Sequence, residues 1–419
     1  MTTSASPPGG MLILTVDRLP AWLLPLAGCT WVATPALDRL AGRGLVCDRL
    51  LAASDLPRDT LAALGGCGRG AGSDSWPLLA AATAAGWSPV VVTDDAGLAA
   101  ALPGEATVEQ VPLILPPRLA TTETETAFGR LVAVALRALE AGRHQLVWCH
   151  AASLATSWDA PRSFREAYLD PDDPPPPEGA APPDLPVDAD TDPDLVMGLR
   201  QVFAGQVTLL DSCLATLLEA VDERSGRAPW TVFFAGVRGM PLGLHDRIGC
   251  GPLPPYAELI QLPAVLVDHR GRMAAQRYGG LTTPADLGRT LLDLIGGGTG
   301  GSRPTSNAAD PRNGRSLLGL LDAWQGPHRD RVICTASQGV SLSTPAWHLV
   351  APGGDGPPGR PRLYARPDDY FDACDVADRS VEVAEELAAI AELARTDLAA
   401  AWNRPLSATA AGAGSDSVG

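Results

Sequence analysis

The sequence predicts a mostly parallel α/β sheet covered on both faces, followed by a smaller antiparallel α+β unit. Three observations carry this expectation. From residue 11 to about 295, short apolar runs alternate with capped helical segments, the strand–helix–strand order of a parallel sheet. From about Asp330 the pattern changes to short strands (ICTAS, WHLVA, RLYAR) and closes on one helix over 381–402. The 419 residues are 46% apolar and 19% charged, enough to bury a large core.

The elements follow in order. Residues 11–16 (MLILTV) read as a buried strand ending at Asp17. Thr34 and Pro35 form an N-cap with proline in the first turn, opening a helix through Gly42. Residues 44–48 (GLVCD) are a strand, and 60–64 a short helix stopped by Gly65 and Gly66. Ser75 caps a helix over 76–85, Gly86 ends it, and 88–93 (SPVVVT) is a strand. An amphipathic helix over 127–141 precedes a strand at 145–149. Residues 193–224 have the apolar spacing of a long helix packed on the sheet. Strands at 231–235 and 264–268 and a helix at 284–295 complete the larger unit. The expected divisions are a flexible N-terminus (1–10), the α/β domain (11–329), the small antiparallel domain (330–405) and a disordered tail (406–419).

Charge and cysteine usage exclude several function classes. All 32 basic residues are arginine, against 48 acidic ones, for a net charge of −16. A duplex nucleic-acid binder or a basic membrane-surface protein is therefore disfavoured. Without a lysine, no Schiff base or P-loop amine exists. Residues 170–194 hold nine acids, nine prolines and no basic residue, and read as an extended, solvated surface loop. The eight cysteines form no CxxC pair and read as buried free thiols. Residues 1–10 lack a charged leader region, and no apolar run reaches the ~18 residues of a membrane span. A cytoplasmic protein is the expectation.

Several landmarks in this order carry a family resemblance. LILTVDRLPAWLLPLAG with WVATPALDRLAGRGLVCDRLLAAS, FFAGVRGMPLGLHDR, YAELIQLPAVLVDHRG, PADLGRTLLDLIG and LYARPDDYFDACDVADRSVEVAEEL span residues 11 to 400. Together they resemble the sulfatase family of the alkaline-phosphatase-like superfamily. The resemblance implies a doubly wound, mostly parallel sheet with ligands at the carboxyl ends of its strands, plus a smaller C-terminal antiparallel domain. It also implies a calcium or magnesium site, a cysteine in a CxPxR motif matured to formylglycine, and lysines and histidines around a sulfate ester.

The sequence departs from that pattern at each point. Of the family's two adjacent aspartates, Asp17 remains and Arg18 replaces the second. The later Asp-His pair reads Val237-Arg238. A divalent cation needs about six oxygens, and two guanidinium groups beside one carboxylate repel it. Asp17 thus reads either as a residual ligand or, more strongly, as the salt-bridge partner of Arg18 or Arg238. The nucleophile region is Ser54-Asp55-Leu56-Pro57-Arg58-Asp59-Thr60, and no register places a cysteine before xPxR. Ser54 and Thr60 read as helix caps before Leu61. Asp94 falls in the turn that holds a family lysine. His150 falls at the first position of the family's HxxDPH segment, and His245 in the late Gly-Glu-His motif. Both histidines read as packing residues.

The leading expectation is a degenerate sulfatase-like protein without the metal or formylglycine, needing no cofactor. Asp17, Arg18, Asp55, Arg58 and Arg238 would fill the old site as an ion-pair network. A sharper form has Arg18, Arg58 and Arg238 binding a small anion or ester without turnover. The alternatives are an active sulfuric- or phosphoric-ester hydrolase using Ser54, Asp55 or Thr60 with calcium or magnesium, and a protein-interaction module built on 170–194.

Overall fold

The computed structural model describes residues 9–67, 76–104, 106–226, 228–296, 313–319, 328–353 and 359–412. The first strand, β1 (Gly10–Asp17), explains its own apolar run. All eight residues are buried, with Met11 and Ile13 packing into one core and Leu12, Leu14 and Val16 into the other. A strand covered on both faces has no polar side to alternate with. The same holds for β3 (Pro89–Thr93), β5 (Leu146–Ala151) and β7 (Trp230–Arg238).

With β2 (Leu45–Leu51), β4 (Thr107–Gln110), β9 (Gln261–Leu262), β10 (Ala264–Val267) and β11 (Gln276–Thr282), these strands make a nine-stranded sheet. Its order is β11-β2-β10-β7-β1-β5-β3-β4, with β9 paired to β2. The β7-β1-β5-β3-β4 half is parallel throughout, whereas β10 runs antiparallel to both β2 and β7. Helices lie on both faces, as a doubly wound sheet requires. On one face pack α1 (Pro35–Arg43), α5 (Ala127–Glu140) and the 33-residue α7 (Pro193–Ser225). On the other pack α2 (Pro57–Leu64), α3 (Pro77–Ala84) and the helix Pro284–Ile295. By length and composition α7 is apolar enough to cross a membrane, but 78% of its most apolar window is buried inside the fold, as in a core helix.

The smaller unit is a four-stranded antiparallel sheet of Val332–Ala336, Gly339–Ser343, Trp347–Pro352 and Arg362–Ala365. The helix Val381–Thr396 covers it, and their apolar residues join the core that lies under α2 and α3. The expected single closing helix breaks at Asp397, whose side chain accepts from Ala400 N and starts a second helix, Leu398–Asn403.

Local chemistry moves other expected boundaries. Thr34 stands at the N-cap of α1 with Pro35 after it, as expected, but its side chain makes no cap bond; Asp211 of α7 supplies it, accepting from Ala36 N at 2.9 Å and Leu37 N at 2.8 Å. The helix expected at 60–64 starts three residues earlier, because Pro57 supplies a pre-set φ at its first turn. Ser75 lies outside the described residues, as do 1–8 and 413–419. Residues 406–412, expected to be disordered, carry the helical turn Ala408–Ala411, which Ser407 caps while also bonding Glu386. The loop 170–194 is held rather than free. Arg165, itself buried, donates to Pro177 O and Gly179 O, and Trp158 N donates to Ala180 O.

Candidate functional site

Because β1, β3, β5 and β7 run parallel, their carboxyl ends bring Asp17, Asp94, His150 and Arg238 to one edge. The β1–β7 pair keeps register through Val16 and Gly236, then shifts so that Asp17 stands opposite Arg238. The shift takes up Val237, which points into the apolar core under α2. A bulge of this kind re-aims the next side chain. Here Arg238 closes on Asp17 with two bonds, Nη2 to Oδ2 at 2.8 Å and Nε to Oδ1 at 3.3 Å. The Asp17 side chain is 5% exposed and that of Arg238 19%.

Arg18 follows with a left-handed backbone (φ 63°) and is buried. Its Nη2 donates to Cys250 O at 3.3 Å, and its Nε has no hydrogen-bond partner among the described residues. Burial, and then the charge of Arg238, hold this guanidinium below its ordinary pKa. The turn that presents Cys250 O is fixed by the acidic loop: Asp184 Oδ1 accepts from Gly251 N at 2.9 Å and Arg247 Nη2 at 2.5 Å. The short strands β6 (Leu185–Pro186) and β8 (Arg247–Ile248) pair there.

His150 is fully buried. Its Nδ1 lies 2.9 Å from Thr15 Oγ1, which also accepts from Trp148 Nε1 at 3.0 Å. Burial lowers the His150 pKa, with Asp94 and Asp17 opposing, so the imidazole is neutral. Asp94 is buried too, accepts from Ala152 N at 2.6 Å, and burial raises its pKa. His150 Nε2 and Asp94 Oδ2 have no partner among the described residues. Thr15 and Trp148 escaped the sequence reading, although Thr15 lies two residues before Asp17 on the same face of β1.

The nucleophile region does not join this cluster. Ser54 Oγ accepts from Leu56 N and caps no helix. Asp55 turns toward the small sheet, its Oδ2 accepting from Ser337 N at 3.1 Å and Oγ at 2.8 Å; only its carbonyl meets Arg238, at 3.4 Å. Arg58, in the first turn of α2, is 83% exposed and faces Asp59 at 3.7 Å. Thr60 is buried inside α2 rather than at its start. The five-residue network thus reduces to an Asp17–Arg238 pair with Arg18 beside it. His245 is also elsewhere, in a buried cluster where the two units meet. It bonds Glu258 Oε1 at 2.7 Å and Asp372 O at 3.2 Å and stacks on Tyr256 at 3.8 Å. Burial pulls its pKa down, and Glu258 with Asp372 more than offsets this, leaving it raised.

The donor set does not fit a divalent cation. Asp17 gives both oxygens to a guanidinium and a second guanidinium adjoins it, Asp94 gives one oxygen to Ala152 N, and Val237 offers no donor. Among the described residues no three His, Cys, Asp or Glu side chains converge as a metal site. A cavity of about 990 Å³ runs along α2, with Ser54, Arg58, Trp76 and Trp402 among its walls and Asp17 not among them.

This architecture has known counterparts. It superposes on the phosphonate monoester hydrolase of Agrobacterium radiobacter with a TM-score of 0.69 and 16% identity, covering 93% of this chain and 95% of that one. The phosphonate monoester hydrolase of Silicibacter pomeroyi gives 0.69 and 17%, covering 93% and 94%. The yidJ protein of Bacteroides fragilis, assigned as a sulfatase, gives 0.65 and 13%, covering 96% and 99%. The fold is the one that these phosphonate monoester hydrolases and the sulfatase structure share. In sequence, the multifunctional alkaline phosphatase superfamily protein PehA of Trinickia caryophylli is 30% identical over 124 residues. That match spans 29% of this chain and 22% of PehA. No family model matches the chain. Within the sulfatase-like fold, the Asp17 edge is where ligands of a doubly wound sheet gather.

Proposed function

We propose that this chain is a sulfatase-like protein that has given up metal-dependent ester hydrolysis and holds an oxyanion or ester anion without cleaving it. One observation carries the reading: Arg238 occupies both oxygens of Asp17, the acidic residue that the sulfatase-like pattern gives to the metal. A buried carboxylate held this way has its charge met by its partner, and the two guanidinium groups around it repel a cation. The positions of Ser54, Asp55 and Thr60 support the loss of turnover: Ser54 Oγ is engaged by Leu56 N, Asp55 by Ser337, and Thr60 is buried inside α2. Arg18 supports the anion. Its charge adds to that of Arg238 beside Asp17, and its Nε is left for an acceptor.

The test is elemental analysis after dialysis against calcium, magnesium and manganese, with assays on an aryl sulfate, a phosphate monoester and a phosphonate monoester. Phosphonate monoesters are included because of the structural neighbours named above. The expected result is no stoichiometric metal and no turnover. One equivalent of tightly held metal, or turnover of any of the three esters, would overturn the proposal. Titration with sulfate and phosphate examines the anion, and three flat isotherms including a sulfated sugar would remove that part.

A further inference from the structure

A second cavity, of about 450 Å³, lies on the same carboxyl edge but beyond β3, between the segment after β4 and the segment after β5. Ala120 N donates to Asp159 O at 3.0 Å and ties the two segments together. One wall is apolar, formed by Leu113, Ile114 and Leu119, and Ile114 is 60% exposed, a poor place for an isoleucine with nothing against it. The rest is polar and incompletely satisfied. Asp159 is 5% exposed; its Oδ2 accepts from Ala127 N, the first residue of α5, at 2.7 Å, while its Oδ1 has no partner among the described residues. Arg130 gives Nη1 to Glu125 O at 2.5 Å, and its buried Nε has none. Glu125, also in the wall, turns its Oε2 to Thr121 N and Thr122 N rather than to Arg130 Nε.

A buried carboxylate oxygen, the buried Nε of a half-exposed guanidinium and an apolar wall around one cavity point to the occupant. We infer that this cavity binds an apolar α-amino acid as its zwitterion. The ammonium goes to Asp159 Oδ1, the carboxylate to Arg130 Nε, and the aliphatic side chain lies against Leu113, Ile114 and Leu119. Each charged end answers an atom without a hydrogen-bond partner among the described residues, and the cavity is large enough for a ligand of leucine's size.

Calorimetric titration of the full chain with L-leucine tests this, with isoamylamine (no carboxylate) and 4-methylpentanoate (no amine) as partial probes. Leucine is expected to bind one to one, and each partial probe about tenfold or more weaker, as loss of a charge-assisted hydrogen bond implies. Asp159→Asn keeps an acceptor for Ala127 N and is expected to weaken leucine by about tenfold or more. Ile114→Asp, on an exposed position that leaves the core intact, is expected to abolish binding even if the first variant folds poorly. No heat with leucine at ~10 mM, or leucine binding that neither variant changes, would overturn the inference. Since Asp17, Arg18 and Arg238 take no part, either outcome leaves the proposal about the Asp17 edge to its own test.

Discussion

Arg238 reaches Asp17 because β7 spends one more residue than β1 between their last two paired positions. Val16 pairs with Gly236, Asp17 with Arg238, and Val237 between them turns into the apolar core. Without the bulge, a valine would stand beside Asp17 and leave its carboxylate buried alone. Removing one partner of a buried ion pair costs about 3–5 kcal/mol, mostly as the penalty of the stranded charge. Arg238→Met is therefore expected to lower the unfolding free energy by about 3 kcal/mol in chemical denaturation. Adding Asp17→Asn should return part of that loss, giving a coupling of about 1–3 kcal/mol in the cycle. Strictly additive single variants would mean that the pair is not energetically joined.

The sequence offered Asp17 two partners, Arg18 or Arg238, of which the structure takes Arg238, and the network around the pair was not legible. Asp17 and Arg238 each end a strand, and strand ends in a parallel sheet share an edge, so their meeting follows from topology. Arg58 misled because its fate depends on where α2 begins. With Pro57 opening the helix, Arg58 sits in the first turn on the solvent side, whereas a start at Thr60 would leave it in the preceding loop. Asp55 was lost to Ser337, 282 residues away, and His245 to Asp372, 127 residues away. Such partners are fixed by packing the small sheet on the large one, and local spacing carries no trace of it. The fold was easier to read, because buried strands and proline-led helices declare themselves within ten residues.

Stability should fall at acid pH through Asp268 and Asp286. Burial raises both carboxyls, but their partners more than offset it. For Asp268 these are His269 and Arg272, whose Nε lies 2.6 Å from Oδ2, and they hold its pKa at about 2. For Asp286 they are Arg329 and then His328, and its pKa lies well below the usual carboxylate range. A depressed native pKa gives stability that is present above the unfolded value of ~3.9 and lost as pH falls through the native one. Wild-type unfolding free energy should therefore drop steeply below pH ~4. In Asp286→Asn the drop should be shallower, from a baseline lower by about 3 kcal/mol. An acid limb of equal slope in both proteins would refute the assignment.

Asp372 should act with the opposite sign. Its carboxyl is buried where the two units meet, accepts from Ala257 N at 2.7 Å and from Arg366, and lies 3.6 Å from His348 Nε2. Burial outweighs these partners and raises its pKa to about 6. The facing groups divide: His245 is raised, whereas burial, Arg366 and Arg49 push His348 well below its ordinary value. A raised native pKa gives stability that is full below ~4 and lost as pH rises through about 6. Asn at this position copies the protonated form and tolerates the left-handed backbone (φ 53°). The gap between wild type and Asp372→Asn should therefore shift by on the order of 1 kcal/mol between pH 5 and 7, against wild type at the higher pH. Thermal or chemical unfolding at the two pH values measures it, and a gap that does not change would place the titration elsewhere.

Gly249 links the acidic loop to the Asp17 edge. Its φ is 113°, and a Cβ there would stand 2.0 Å from Pro183 O and 2.8 Å from Asp184 Cα. Both the backbone and the space thus demand glycine. Gly249→Ala must push the loop away from the turn, which breaks the Asp184 bonds to Gly251 N and Arg247 and frees the turn that presents Cys250 O to Arg18. Two readouts should move together. Glu178, whose side chain is 89% exposed but whose following residues are tied down by Arg165 and Trp158, should become a faster site for a glutamate-specific protease. Any sulfate or phosphate affinity at Arg18 should weaken, because the guanidinium loses its positioning carbonyl. Faster cleavage with unchanged anion affinity would show that the loop is seated by Gly249 but does not organise Arg18. Unchanged cleavage would mean that Arg165 and Trp158 alone hold it.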